Sequence, residues 1–363
     1  MELGFQAYHY AWITWMTITL GCTGLLLLHH ATKAKWTLVI LRVLETGARL
    51  LPLMAFLGVV IVANVLSDGS WPAIFPWIGE LKNHHLVVAK VAYLNKGFFA
   101  VRYAIYFLIW IALSRTMINS SLREDKSGDK NEAQMRANWG ALGLVIYFLS
   151  VTFAYTDWVM SLDPKWTSTI FPVWFIMAGA MMTLTFGIIY AVRRMNQAQW
   201  EAAVDAGVLK DWGNMLLTLT LIWAYFSLSQ FLIMWSANIP EEVIYYTKRF
   251  ENPLLLAMGA FLILFQWLVP FILLLAPRTK KRPDLLIKVA YLSLTMKFID
   301  IFWTVVPFFM KGIQLDVTTI LVNVVMMAAM GAVWFFGFYT TISRFSALPA
   351  HDARLEEALS HAR

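Results

Sequence analysis

The 363-residue chain has a single cysteine, Cys22, and it lies inside an apolar run. One thiol excludes intrachain disulfides, cysteine-rich zinc or iron–sulfur sites, and C-x-x-C-H haem attachment. Charge is scarce as well. Only 14% of residues are Asp, Glu, Lys or Arg, 60% are hydrophobic, and mean hydropathy is +0.63. A water-soluble domain of this size needs far more charged surface. There is no glycine-rich phosphate loop of Walker type. No 20–50-residue period stands out, and no cleavable signal pattern precedes the first apolar run.

What the chain has is a series of uncharged runs near the ~20 residues that cross a bilayer as helix. Nine spans are expected, at about 8–28, 37–66, 94–114, 138–160, 168–192, 212–236, 252–276, 285–310 and 314–342. All should be helices, because open strands leave backbone groups unsatisfied in lipid. The expected fold class is therefore an all-α polytopic membrane protein. Assigning Lys and Arg outside the spans to alternate faces puts seventeen on one side and seven on the other. The positive-inside rule then predicts a cytoplasmic C-terminus and an external N-terminus. The net charge of +7 is accounted for by topology rather than by nucleic acid.

Between spans, "SSLREDKSGDKNEAQMR" reads as a mobile cytoplasmic loop without chemistry. The longer external segment from Ser67 to Tyr93 contains "GSWPAIFPWIGELKNHH" and reads as an amphipathic piece lying at the interface. The C-terminal "ARLEEALSHAR" reads as a short cytoplasmic helix.

Subtracting loops leaves Arg42, Glu45, Arg49, Arg102, Asp157, Lys288, Lys297 and Asp300 within or at the ends of spans. Each must face protein or water, as a charge at mid-membrane costs at least ~2.5–3.5 kcal/mol. Arg42, Glu45 and Arg49 share one arc of the second helix at i, i+3 and i+7. They read either as a neutralised triad or as a proton-loading carboxylate between arginines. Lys297 and Asp300 stand at i, i+3 near mid-depth, and Asp157 closes the fourth helix at the external face. The same face carries His84, His85, Asp163, Glu241 and Glu242. Protonatable groups thus occur at inner, middle and outer levels. That gives a candidate proton path of Glu45, Lys297, Asp300 and Asp157, with Asp163, Glu241 and Glu242 outside. Arg42, Arg49 and Arg102 are candidate structural ion-pair partners. Static ion pairs throughout are the competing reading.

In "DWVMSLDPKW", Trp158 and Trp166 read as interfacial anchors and Pro164 as the turn former. A haem-b carrier needs histidines facing each other from two helices. His29 and His30 fall at the inner end of the first helix, so no such pair is available within the membrane. Pro52 is expected to break one helix, and Pro270 and Pro307 to kink others. These interruptions do not pair up as in inverted-repeat transporters.

"TDWVMSLDPKWTSTIFPVWF" and "IMWSANIPEEVIYY" resemble signature loops of the F subunit of alternative complex III, a bacterial quinol oxidoreductase. The resemblance extends to "GLLLLHHATKAKWTLVILRVLETGARLLP", "YLNKGFFAVRYAIYF" and "MKFIDIFWTVVP", in order, over most of residues 15–310. It implies a polysulfide-reductase (NrfD-like) membrane subunit built of two four-helix bundles. The first would span about 8–160 and the second about 168–310, with a peripheral last helix at 314–342 and a cytoplasmic tail at 343–363. The family has ten helices, so nine with an external N-terminus are consistent with loss of the first peripheral helix. It also implies a bacterial cytoplasmic membrane location and no redox centre in this chain. Haem c and iron–sulfur clusters would lie in partners. Those partners are a multihaem and a monohaem cytochrome c, an iron–sulfur protein, the paralogous C subunit, small membrane subunits and a terminal oxidase. Proton translocation is the expected contribution, together with a quinone pocket or outer mouth near His84, His85 and Trp158. A quinone-binding anchor of another oxidoreductase of the same fold, or a secondary transporter, are the alternatives.

Overall fold

A computed structural model describes residues 2–32, 34, 36–67, 71–197, 200, 203–310, 315–346 and 348–349. Among these, all regular structure is helical. The long helices are α1 (Glu2–Thr32), α2 (Leu41–Ala48), α3 (Leu51–Leu66), α4 (Lys96–Ser127), α5 (Lys130–Trp158) and α6 (Ile170–Val192). They continue with α7 (Ala206–Ala237), α8 (Pro240–Phe250), α9 (Pro253–Leu275), α10 (Pro283–Val305) and α11 (Val317–Ile342). Eight segments are long and apolar enough to cross a membrane, counting α2 and α3 as one. The protein is a polytopic helical membrane protein. The expected span 285–310 corresponds to α10, but Asp284, Lys288, Lys297 and Asp300 interrupt its apolar run.

Two helices form the centre. The apolar stretch of α1 is 89% buried and that of α6 78%, against 22–44% for the other six. They pack against each other, and the crossing is tight. A Cβ at Gly179 would stand 2.6 Å from the Thr17 carbonyl oxygen, and one at Gly21 would strike the Gly179 backbone. Small residues let the two backbones approach without a side chain between them. The polar residues of α1 do not disturb this packing. Thr14, Thr17, Thr19 and Thr23 each return their hydroxyl to the carbonyl four residues earlier. Around α1 lie α2, α3, α4, α5 and α11, and against α6 lie α5, α7 and α10, with α9 between α7 and α10.

Proline sets three of the breaks. α2 and α3 separate at Arg49–Leu50, with Pro52 in the first turn of α3. Within α9 a π-helical stretch, Ile263–Leu268, precedes Pro270. α10 tightens into a 3-10 turn at Val306–Phe308 around Pro307.

The segment 120–136 is not the mobile loop its charge implied. α4 continues through it to Ser127, Gly128 turns the chain at φ 66°, and α5 resumes at Lys130 with Asp129 as N-cap. Arg123–Glu132 (2.7 Å) and Arg136–Glu124 clamp this hairpin. The segment expected to be external is also more anchored than its composition suggests. It is mostly turns with one short helix, His85–Val88, and it buries Ile74, Phe75 and Trp77. Asn64 ties it down, donating to Pro72 O (2.9 Å) and accepting from Ile74 N (3.1 Å). The expected C-terminal helix lies outside the described residues.

Candidate functional site

Three buried ion-pair groups hold most of the charges singled out within the spans, and no side-chain hydrogen bond among the described residues links them. The first lies where α2 meets α4. Arg42 donates to Glu45 Oε2 (2.5 Å), pairs with Asp125 and reaches Ser121 (3.3 Å). Glu45 Oε1 is buried and accepts no bond among the described residues. Arg42 and Glu45 of the expected triad are thus paired, and a residue outside it joins them. Asp125 supplies the second carboxylate, while the Arg49 guanidinium lies over the Phe345 ring, 4.4 Å from its centroid.

The second group joins α4 to the end of α5. Arg102 grips both oxygens of Asp157, Nη2 to Oδ1 at 2.7 Å and Nε to Oδ2 at 2.8 Å, and donates from Nη1 to Tyr93 O. Tyr106 adds a hydroxyl to Asp157 Oδ2 at 2.8 Å. The rings of Tyr93 and Phe98 cover the guanidinium. Both oxygens of this carboxylate are engaged, and Asp157 is 1% exposed. Trp158 beside it is no interfacial anchor or mouth residue. It is buried among Trp12, Tyr103, Phe107 and Trp110, and its carbonyl contacts His9 Nε2 at 2.7 Å. Trp166 is buried too, stacked on Tyr245. An aromatic residue beside charges reads in sequence as interfacial, but here the charges are neutralised inside and the rings fill the space around them.

The third group lies between α7 and α10. Lys297 Nζ donates to Asp300 Oδ2 at 2.9 Å, and Trp223 Nε1 donates to the same oxygen at 2.8 Å. The Lys297 ammonium sits 5.3 Å from the Trp174 ring and 5.4 Å from that of Trp223. Asp300 forms part of the wall of a cavity of about 690 Å³. The other walls are almost wholly apolar, from Phe171, Trp174, Trp223, Tyr245, Leu255, Ile263 and Trp303, with Gln230 and Thr304 as polar exceptions. His84, His85, Trp158, Asp157 and Asp163 do not line it. The residues expected at an outer pocket, His84, His85 and Trp158, are therefore not part of this cavity. His84 instead caps the short helix by accepting from Leu86 N, with the His85 ring stacked on it.

The rim of this half is held chiefly by Arg249, which the sequence reading did not single out. Pro307 has no N–H for the Trp303 carbonyl. The buried Arg249 of α8 supplies the missing donor, bonding Trp303 O (3.1 Å), Thr304 O (2.7 Å) and Tyr245 O. It packs on Tyr245, Trp303 and Phe308. Asp163 lies 3.9 Å from Lys248, and Lys90 donates to Pro164 O at 2.8 Å. Partial burial pulls the Lys90 and Lys248 ammonium groups below the usual lysine range, and the Asp163 carboxylate opposes that shift in both. Glu241 and Glu242 occupy the first turn of α8, where negative charge suits the helix dipole. Among the described residues, no three His, Cys, Asp or Glu side chains are grouped to hold a metal.

The third group is the one suited to chemistry. Asp300, paired with Lys297, borders a cavity large enough for a ring-sized ligand. No family model matches the sequence, and no curated protein matches it either.

Proposed function

We propose that this chain is the proton-coupling membrane subunit of a quinol-oxidising respiratory assembly of the alternative complex III type. The observation that carries the reading is Asp300, bonded to Lys297, on the wall of an aromatic cavity. Both groups change charge by exchanging one proton, so a desolvated pair of this kind relays protons where an arginine pair does not. The five ordered motifs supply the link to the family. In this reading α1, α3, α4 and α5 form one four-helix bundle, α6, α7, α9 and α10 the second, and α11 is peripheral. The end carrying Asp157 and Asp163 faces the outside of a bacterial cytoplasmic membrane, and the end carrying Arg42 and Asp125 faces the cytoplasm. Glu45 is the inner loading group and Lys297–Asp300 the central relay. Asp157, held by Arg102 and Tyr106, serves as a clamp. Electrons travel through haem c and iron–sulfur clusters in partner subunits.

A second reading is a quinone-binding anchor of another oxidoreductase with this fold. The cavity favours it, since exposed Leu221, Tyr225, Leu228 and Ile263 line its edge and an isoprenoid chain would enter between them. Affinity purification of the tagged chain from native membranes separates the readings. The first predicts co-purified multihaem cytochrome c with haem absorbance. A molybdopterin or iron–sulfur partner without haem c supports the second, and a chain recovered without redox partners points to a secondary transporter.

A further inference from the structure

The central pair continues inward through two residues that no reading above uses. α9 and α10 run antiparallel and are pinned where Trp303 Nε1 donates to Leu255 O at 2.8 Å. Gln266 lies eleven residues along α9 from Leu255, and Ser293 ten residues back along α10 from Trp303. At ~1.5 Å per residue both are about 15 Å from the pin, hence at one level near the middle of a ~30 Å apolar core. Both are fully buried. Gln266 Nε2 donates to Met181 Sδ at 3.3 Å, but Gln266 Oε1 and Ser293 Oγ engage no partner among the described residues.

Such oxygens are costly in an apolar interior, and buried polar atoms are as a rule satisfied by protein or by internal water. Gln266 stands in the π-helical stretch of α9, a distortion that recurs at functional sites. Ser293 lies one helical turn before Lys297 on the same face of α10. The Lys297 ammonium has three donors, of which Asp300 takes one. We propose that Gln266 and Ser293 bind internal water one turn inward of Lys297, and that this water reprotonates Lys297. A proton carried by the water passes to the neutral amine, leaving the ammonium and neutral water. Water binding stands on the geometry alone, whereas the relay step rests on the proposed function.

The test uses the intact assembly. Hydroxyl-radical footprinting by brief X-ray exposure oxidises side chains next to bound water, and Met181 is the reporter. The expected result is Met181 labelling in the native protein that is lost in Gln266→Leu and reduced in Ser293→Ala, the milder variant should the first fail to assemble. Absent native labelling, or equal labelling in an assembled variant, overturns the water site. Protons moved per electron, measured in proteoliposomes, should fall in the same variants while quinol oxidation continues. Lost labelling with an unchanged proton ratio overturns the relay step. An unchanged ratio in Asp300→Asn sinks the proposed function instead, with the footprint deciding the water site separately.

Discussion

The two halves of the molecule each bury a carboxylate against a cation, and they do so in opposite styles. Asp157 is gripped at both oxygens by Arg102, bonded again by Tyr106, and enclosed by aromatic rings. Asp300 receives one lysine contact and one indole N–H on a single oxygen, and it borders a cavity of about 690 Å³. Arginine keeps its charge in proteins, whereas a buried lysine gives up its proton readily. The first pair therefore has a fixed cation and serves as a rivet between α4 and α5. The second can relax by passing a proton, and that is the property a coupling site needs.

Breaking the rivet should have the largest effect on stability. Arg102→Leu leaves Asp157 as an uncompensated buried charge, a loss of about 3–5 kcal/mol. It should appear as a sharp fall in detergent-extracted folded protein and in apparent Tm. Lys297→Met should cost less, about 1–3 kcal/mol, because Asp300 at the cavity wall can take up a proton once its partner is gone. Equal losses in the two variants would erase the distinction between clamp and relay. Smaller still is Arg249→Lys, which keeps the charge and loses the planar fork across three carbonyls. About 1 kcal/mol is expected, read as a modest Tm decrease. A fall as large as that of Arg102→Leu would make the rim, rather than the Asp157 rivet, the chief fastening of this end.

The contrast between halves was partly legible in sequence. Apolar run length located the spans, and the i, i+3 spacing of Lys297 and Asp300 put them on one face before any packing was known. Charges break the apolar run of α10, and of these Lys297 and Asp300 are buried, Asp300 against Trp223 and the cavity. The partners of those charges were not legible, because they come from distant helices. Nothing local joins Arg102 to Asp157 fifty-five residues away, or Arg42 to Asp125 eighty-three residues away. The hairpin at 120–136 looked like a solvated loop by composition, yet the same Glu and Arg residues are good helix formers and pair across the turn. Trp158 and Trp166 show the limit most clearly. Their chemistry suits an interface as well as a core, and only packing decides between them.

The central claim is that Asp300 titrates during turnover and Asp157 does not. The most direct measurement is the proton-to-electron ratio of quinol oxidation in proteoliposomes carrying the intact assembly with Asp300→Asn. The account predicts an assembly that still oxidises quinol and moves fewer protons per electron. An assembled Asp300→Asn variant with the native ratio would contradict it.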